Sequence, residues 1–242
     1  MKMAALFPIV LLAGCNAAPA NPTVAAPQPS PVAATGNGPT VVELYQSQGC
    51  SSCPPAIRNV NAIADDPHVL ALTFAVTYWD ALGWKDTFAQ QAFTARQWDY
   101  ARAGQRDKVY TPQVVVNGGQ AIVGANPAQL DQAVRAAKPL AGPEIGVTGN
   151  RLTVAAQSGA KAATVWLVSY DPREEVVKIR AGENAGRDLA HRNVVRAMTA
   201  LGDWTGQAAS YALPAPRNPH EARAVLLQQG TGGPIVAAKK LG

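Results

Sequence analysis

Residues 48–55 read QGCSSCPP, and the use made of Cys50 and Cys53 decides the fold. A Cys-x-x-Cys pair can be a redox couple, half of a metal site or a local disulfide, so its neighbours must choose. Just upstream, TVVELY (Thr40–Tyr45) is a short β-branched run that predicts a buried strand ending at the cysteine loop. Downstream, PPAIRNVNAIADD sets Ile57, Val60 and Ala64 at helical spacing, with Pro54 or Pro55 suited to a first helical turn. HVLALTFAVTY predicts a second apolar strand, and AFTARQWDYARAG a helix ended by Gly104. QVVVNGGQAIVG predicts two strands joined at Asn117-Gly118, and Asn126 with Pro127 opens a helix carrying Leu130, Val134 and Ala137 on one face.

The resulting order, β-α-β-α-β-β-α over residues 40–139, is that of an α/β thioredoxin-like domain. YTPQVVV adds a second landmark, because thioredoxin-like proteins hold a cis proline beside the active-site sulfurs, here the Thr111-Pro112 step. From residue 143 to 242 the texture changes to short β-rich runs separated by Gly, Pro, Asn and Asp. That pattern predicts a small all-β, sandwich-like second domain.

The stretches VVELYQSQGCSSCPPA, YWDALGWKDTF, FTARQ and VYTPQVVVNG resemble an uncharacterised family of exported bacterial thioredoxin-like proteins, a domain of unknown function. The likeness continues through GENAGRDLAHRNVVR and LGDWTG. The family pattern often carries a His and an Asp ahead of YWD, where this chain has Ala75 and Thr77. Any help with proton transfer from those groups is lost here.

The N-terminus MKMAALFPIVLLAGC has an early Lys, a short apolar run and small residues ahead of Cys15, the form of an export signal (residues 1–14). LAGC resembles the bacterial lipoprotein signal, which implies lipidation of Cys15 and a membrane anchor. It also accounts for the odd count of three cysteines as one anchor and one pair. Asn16 in place of the retention signal Asp points to the outer membrane of a Gram-negative cell, with the body facing the periplasm. Residues 15–39 are rich in Pro and Ala and carry no charge, too little apolar bulk to fold, so they predict a tether reaching at most about 3.1 Å per residue. Outside the cytosol a disulfide persists.

For chemistry, Cys50 is the expected attacking residue, accessible to solvent and ahead of a helix whose N-terminus favours an anion. Cys53 is the expected resolving residue. Ser51 and Ser52 can donate hydrogen bonds to a thiolate, and Thr111 and Pro112 offer backbone to a bound peptide, as the resemblance implies. Glu43 is a candidate proton relay, or alternatively a carboxylate facing solvent or paired with a Lys. The Trp-rich stretch from Tyr78 to Asp86 either lines a substrate groove or packs at a domain contact.

The expected activity is thiol–disulfide exchange on exported proteins, with a redox partner protein and no bound cofactor. Two alternatives stand beside it: a non-catalytic binding module with an inert disulfide, and Cu(I) handling through the same pair. A link across two intervening residues constrains the unfolded chain little, which argues against a staple. His68, His191 and His220 offer no clear third ligand, and a zinc site lacks a second ligand pair. Within GENAGRDLAHRNVVR, the polar residues Glu183, Asp188, His191 and Arg196 match neither a ligand set nor a triad. Charges balance at eight and eight over residues 40–142, and residues 143–242 carry twelve positive and eight negative. With no basic run interleaved with aromatics, nucleic acid is not expected as a partner. No dimerisation segment is visible, which weakens an isomerase reading, and a monomer is expected.

Overall fold

Thr40–Gln46 forms strand β1, and every residue of it after Thr40 is buried, as its β-branched and aromatic composition predicts. The structure, a computed structural model, describes Met1 and residues 38–241. The export signal, Cys15 and most of the tether therefore lie outside the described residues. Helix α1 (Pro54–Ala62) follows the cysteine loop, and strand β2 (Val69–Ala75) returns to pair in parallel with β1, from Thr40↔Val69 to Gln46↔Ala75. Helix α2 (Gln91–Ala103) ends at Gly104. Strands β3 (Gln113–Val116) and β4 (Gln120–Ile122) form a hairpin whose turn residues Asn117 and Gly118 both have positive φ. Helix α3 (Pro127–Ala136) is capped by the Asn126 side chain, which accepts from the N–H groups of Ala128 and Gln129.

The remaining strands are β5 (Ile145–Thr148), β6 (Arg151–Val154), β7 (Ala163–Asp171), β8 (Glu175–Lys178), β9 (Asp188–His191), β10 (Val194–Trp204), β11 (Ala209–Ala212), β12 (Ala222–Gln229) and β13 (Ile235–Leu241). Here the expected fold class fails. An α/β thioredoxin-like domain followed by a separate sandwich-like domain is not what forms. The described residues hold thirteen strands and three helices, and eight strands make one mixed sheet in the order β13-β12-β7-β10-β2-β1-β3-β4. Strands from both halves of the chain lie in that sheet.

The physical reason is the outer edge of β2, whose unpaired backbone groups would otherwise face solvent or another chain. The start of β10 covers it. Val194 pairs with Thr73, the Thr73 N–H donates to the Asn193 carbonyl (3.0 Å), and Asn193 Nδ2 donates to the Ala71 carbonyl (2.8 Å). β7, β12 and β13 then extend the sheet in antiparallel fashion. The short strands β11-β6-β5 form a second sheet, and β8-β9 a two-stranded ribbon.

Strand alternation divides the core. Val41, Tyr45, Leu72 and Phe74 point to one face and pack with Phe93, Tyr100, Val168 and Leu226. Val42, Leu44 and Ala71 point to the other and pack with Cys50, Cys53 and the helices α1 and α3. A third cluster, around Leu152, Val165 and Trp204, lies beneath the three-stranded sheet.

Candidate functional site

Cys50 and Cys53 form a disulfide between the end of β1 and the start of α1, with their Cα atoms 5.4 Å apart. The local chain builds this turn step by step. Ser47 Oγ accepts the Gly49 N–H (3.1 Å), the Ser47 carbonyl accepts the Cys50 N–H (3.1 Å), and the Cys50 carbonyl accepts the Cys53 N–H (3.2 Å). The Cys53 carbonyl then accepts the Ile57 N–H (3.0 Å), so Cys53 is the N-cap of α1. Pro54 and Pro55 need no partner for N–H groups they lack, which suits them to this first turn.

The Thr111-Pro112 bond is cis and lies beside the loop. Ser52 Oγ reaches the Thr111 carbonyl over 3.5 Å and lies 3.3 Å from Cys50 Sγ, while Thr111 Oγ1 accepts from Trp79 Nε1 (2.7 Å). The structure thus brings Cys50, Cys53, Thr111 and Pro112 together. Glu43 is elsewhere. It shares parity with Val41 and Tyr45, so it projects to the α2 face, fully buried. There its carboxylate accepts from Arg96 Nε (2.9 Å) and from the Tyr100 hydroxyl, and Gln228 of β12 bonds both Arg96 and Tyr100. Its partner is an arginine, and its setting is the interior of the sheet.

Cys50 and Cys53 both have no exposed surface, whereas Ser51 and Ser52 between them are exposed. The expected solvent access of Cys50 is therefore absent. Two segments hold the loop. From one side, Asp86 Oδ2 accepts the Gln48 N–H (2.7 Å) and its Oδ1 accepts the Phe88 N–H (2.8 Å). Burial pushes the Asp86 carboxyl up to about 6, against the pull of these N–H donors. Gln48 Oε1 accepts from Trp84 Nε1 (2.9 Å) and the Thr87 N–H (3.2 Å), and Gln48 Nε2 donates to Thr87 Oγ1 (3.0 Å). The Trp-rich stretch thus clamps the cysteine loop.

From the other side comes the connection between β8 and β9. Asn184, fully buried, donates through Nδ2 to the carbonyls of Gln48 and Cys50, each at 2.8 Å. Glu183 Oε2 accepts the Ser51 N–H (3.2 Å), and the Ser51 hydroxyl and N–H hold the Glu183 carboxyl below its ordinary range. Sequence reasoning noticed Glu183 without a role and passed over Asn184 and Gln48. The available signal was a polar pair flanked by glycines in GENAG, next to nothing it could be seen to serve.

The other polar residues of that segment scatter. Asp188 pairs with Lys178, and Arg196 pairs with Glu175 while its guanidinium lies 4.6 Å from the Phe88 ring centroid. His191 is fully buried edge-on to Phe88 (5.5 Å), and neither ring nitrogen has a hydrogen-bond partner among the described residues. Burial pulls its pKa down to about 4. His68 precedes β2, at the end of the sheet away from the disulfide. Among the described residues no three His, Cys, Asp or Glu side chains gather as a metal site, and no helix is long and apolar enough to cross a membrane.

Residues 41–228 match the family described as Protein of unknown function (DUF1223). The chain belongs to this family. A crystal structure of protein AGR_C_4864 from Agrobacterium tumefaciens is similar, with 30% identity and a TM-score of 0.69 over 84% of this chain and 93% of that one. HBP35 of Porphyromonas gingivalis shares the fold at 13% identity, with a TM-score of 0.52 over 86% of this chain and 76% of that one. No curated protein matches the chain.

Proposed function

We propose that this protein is an exported thiol–disulfide oxidoreductase, exchanging disulfides with protein thiols through Cys50 and Cys53. The observation that carries the reading is the disulfide itself, set at the N-terminus of α1 beside Thr111 and Pro112. A disulfide spanning two residues adds little as a staple, whereas its position suits exchange. A substrate thiolate attacks Cys50 Sγ, a substrate–Cys50 bond forms, and the Cys50–Cys53 bond breaks. The electron pair leaves on Cys53, whose thiolate then sits at the N-cap of a nine-residue helix that favours negative charge. A second substrate thiolate attacks the mixed disulfide and releases Cys50 as thiolate, with Ser52 Oγ placed to donate to it. The substrate loses two electrons and the pair gains them. Reversal of the same steps reduces a substrate disulfide.

An export signal and a lipid on Cys15 fit this chemistry, since they set the pair in a compartment where disulfides persist. The partners are then exported protein thiols or disulfides and a redox protein that resets the pair, with the chain acting as a monomer held to the membrane by its lipid. A second reading, a binding module with an inert disulfide, draws on the complete burial of both cysteines. The reduction potential of the pair in the full chain, read by thiol alkylation across redox buffers, separates the two. A value near about −270 mV marks a reductant and one near about −120 mV an oxidant, while a value below about −300 mV sinks the exchange reading.

A further inference from the structure

The connection between β8 and β9 closes on itself. The Ile179 N–H donates to the Arg187 carbonyl (2.9 Å), the Gly186 N–H to the Ile179 carbonyl (2.8 Å), and the Ala185 N–H to the Gly182 carbonyl (3.1 Å). The Arg187 N–H donates to the Asn184 carbonyl (3.0 Å), and Arg187 Nη1 donates to Asn184 Oδ1 (3.0 Å). Its shape is therefore braced by bonds of its own. Among the described residues its hydrogen bonds to that loop are the two from Asn184 and those Glu183 accepts at Ser51, and no ion pair joins the two segments. Gly182 seats the connection against Trp84: at its φ of +73°, an added Cβ would lie 3.1 Å from the Trp84 Cβ.

We propose that Asn184 is the positioning residue that shuts the Cys50–Cys53 disulfide against incoming thiols, and that residues 179–187 act as a strap that lifts to admit them. The inference rests on the exchange reading and adds to it the step that precedes chemistry. Both N–H bonds of the Asn184 amide are spent on the peptide carbonyls of Gln48 and Cys50, which ties the strap to the backbone of the attacked residue. Glu183 adds a bond at the exposed Ser51. Lifting the strap breaks these hydrogen bonds and leaves the sheet intact, so access is gained without unfolding. Because the strap comes from the second half of the chain, that half regulates a disulfide to which it contributes no sulfur.

The test is the rate at which dithiothreitol reduces the oxidised full chain. One dithiothreitol thiolate attacks the disulfide, its second thiol resolves the mixed species, and the products are cyclic oxidised dithiothreitol and the Cys50/Cys53 dithiol. Asn184→Ala should raise the second-order rate about tenfold, the effect of losing buried hydrogen bonds that hold the closed state. Gly182→Ala, whose added Cβ crowds Trp84 two residues before Asn184, should also accelerate reduction. Glu183→Gln keeps an acceptor for the Ser51 N–H and should react at the native rate. Asn126→Ala removes a helix cap away from the strap and destabilises the fold without changing that rate, so a merely structural effect is excluded. Native rates in both Asn184→Ala and Gly182→Ala would overturn the strap. The equilibrium potential is a separate readout: a pair too reducing for exchange removes the catalytic reading, while faster reduction of the variants still supports the strap.

Discussion

His191 and Asp86 approach Phe88 from two sides, and their protonation should pull stability in opposite directions. His191 packs edge-on against the Phe88 ring, and Asp86 Oδ1 accepts the Phe88 N–H. The folded pKa of His191, about 4, lies below its ordinary 6.5. The unfolded chain therefore takes up the proton first, and stability present above pH 6.5 is lost as pH falls towards 4. That gap corresponds to about 3 kcal/mol. Asp86 behaves the other way, because its folded pKa of about 6 lies above its ordinary 3.8. Its contribution is fully present below pH 3.8 and is lost as pH rises through 6, again about 3 kcal/mol.

Between pH 6 and 4 the two contributions nearly cancel, so the variants reveal what the native chain conceals. His191→Phe removes the acid-labile part and should gain about 3 kcal/mol relative to the native chain when pH falls from 6.5 to 4. Asp86→Asn should lose about 3 kcal/mol relative to the native chain over pH 6 to 4. Urea unfolding at fixed pH steps measures both differences, and titrations common to all three chains drop out of them. A His191→Phe profile parallel to the native one would refute the claim that this imidazole is held neutral by burial.

Two further substitutions probe the packing. Arg96→Met leaves the Glu43 carboxylate buried without its cation, and should cost about 3–5 kcal/mol by urea unfolding, with much of the loss recovered when Glu43→Leu is added. Gly232→Ala sets a Cβ 2.2 Å from the Asp99 carbonyl oxygen at a φ of +69°, and should lower the melting temperature far more than Gly149→Ala, which has the same handedness (φ +57°) and open space around it.

Local signals were readable in the sequence. Asn126 and Pro127 do open a helix, Asn117-Gly118 does turn a hairpin, and the Cys-x-x-Cys pair does stand between a strand and a helix beside Thr111 and Pro112. What failed was the assumption that a change of texture near residue 143 closes one sheet and starts a separate fold. Val194 pairs with Thr73 across more than a hundred residues, and nothing in VVRAM names that partner. Glu43 illustrates a different failure. It was read as a proton relay or as a carboxylate facing solvent or paired with a Lys, but period-two alternation puts it on the face opposite Leu44, which packs with the sulfurs, and there its partner is Arg96. Asn184 was hidden because its value lies in two carbonyls brought to it by tertiary structure, and a hydrogen bond to backbone leaves no trace in the partner's residue type.

The same connections decide how a thiol could reach Cys50. Gln48 is gripped at its N–H by Asp86, at its carbonyl by Asn184 and at its side chain by Trp84 and Thr87, so both halves of the chain fix the loop. A hinge between the halves would be the usual route to a buried site at such a junction. Here it is barred, because β10 is bonded to β2 within the sheet, and on the opposite face Gln228 completes the buried Glu43–Arg96–Tyr100 network. Parting the halves would break sheet bonds and strand a buried carboxylate, at a cost comparable with the whole stability of a domain. Releasing the 179–187 connection breaks only the two hydrogen bonds from Asn184 and those Glu183 accepts at Ser51. The small motion is the cheaper one by a wide margin, and it frees the backbone on both sides of Cys50.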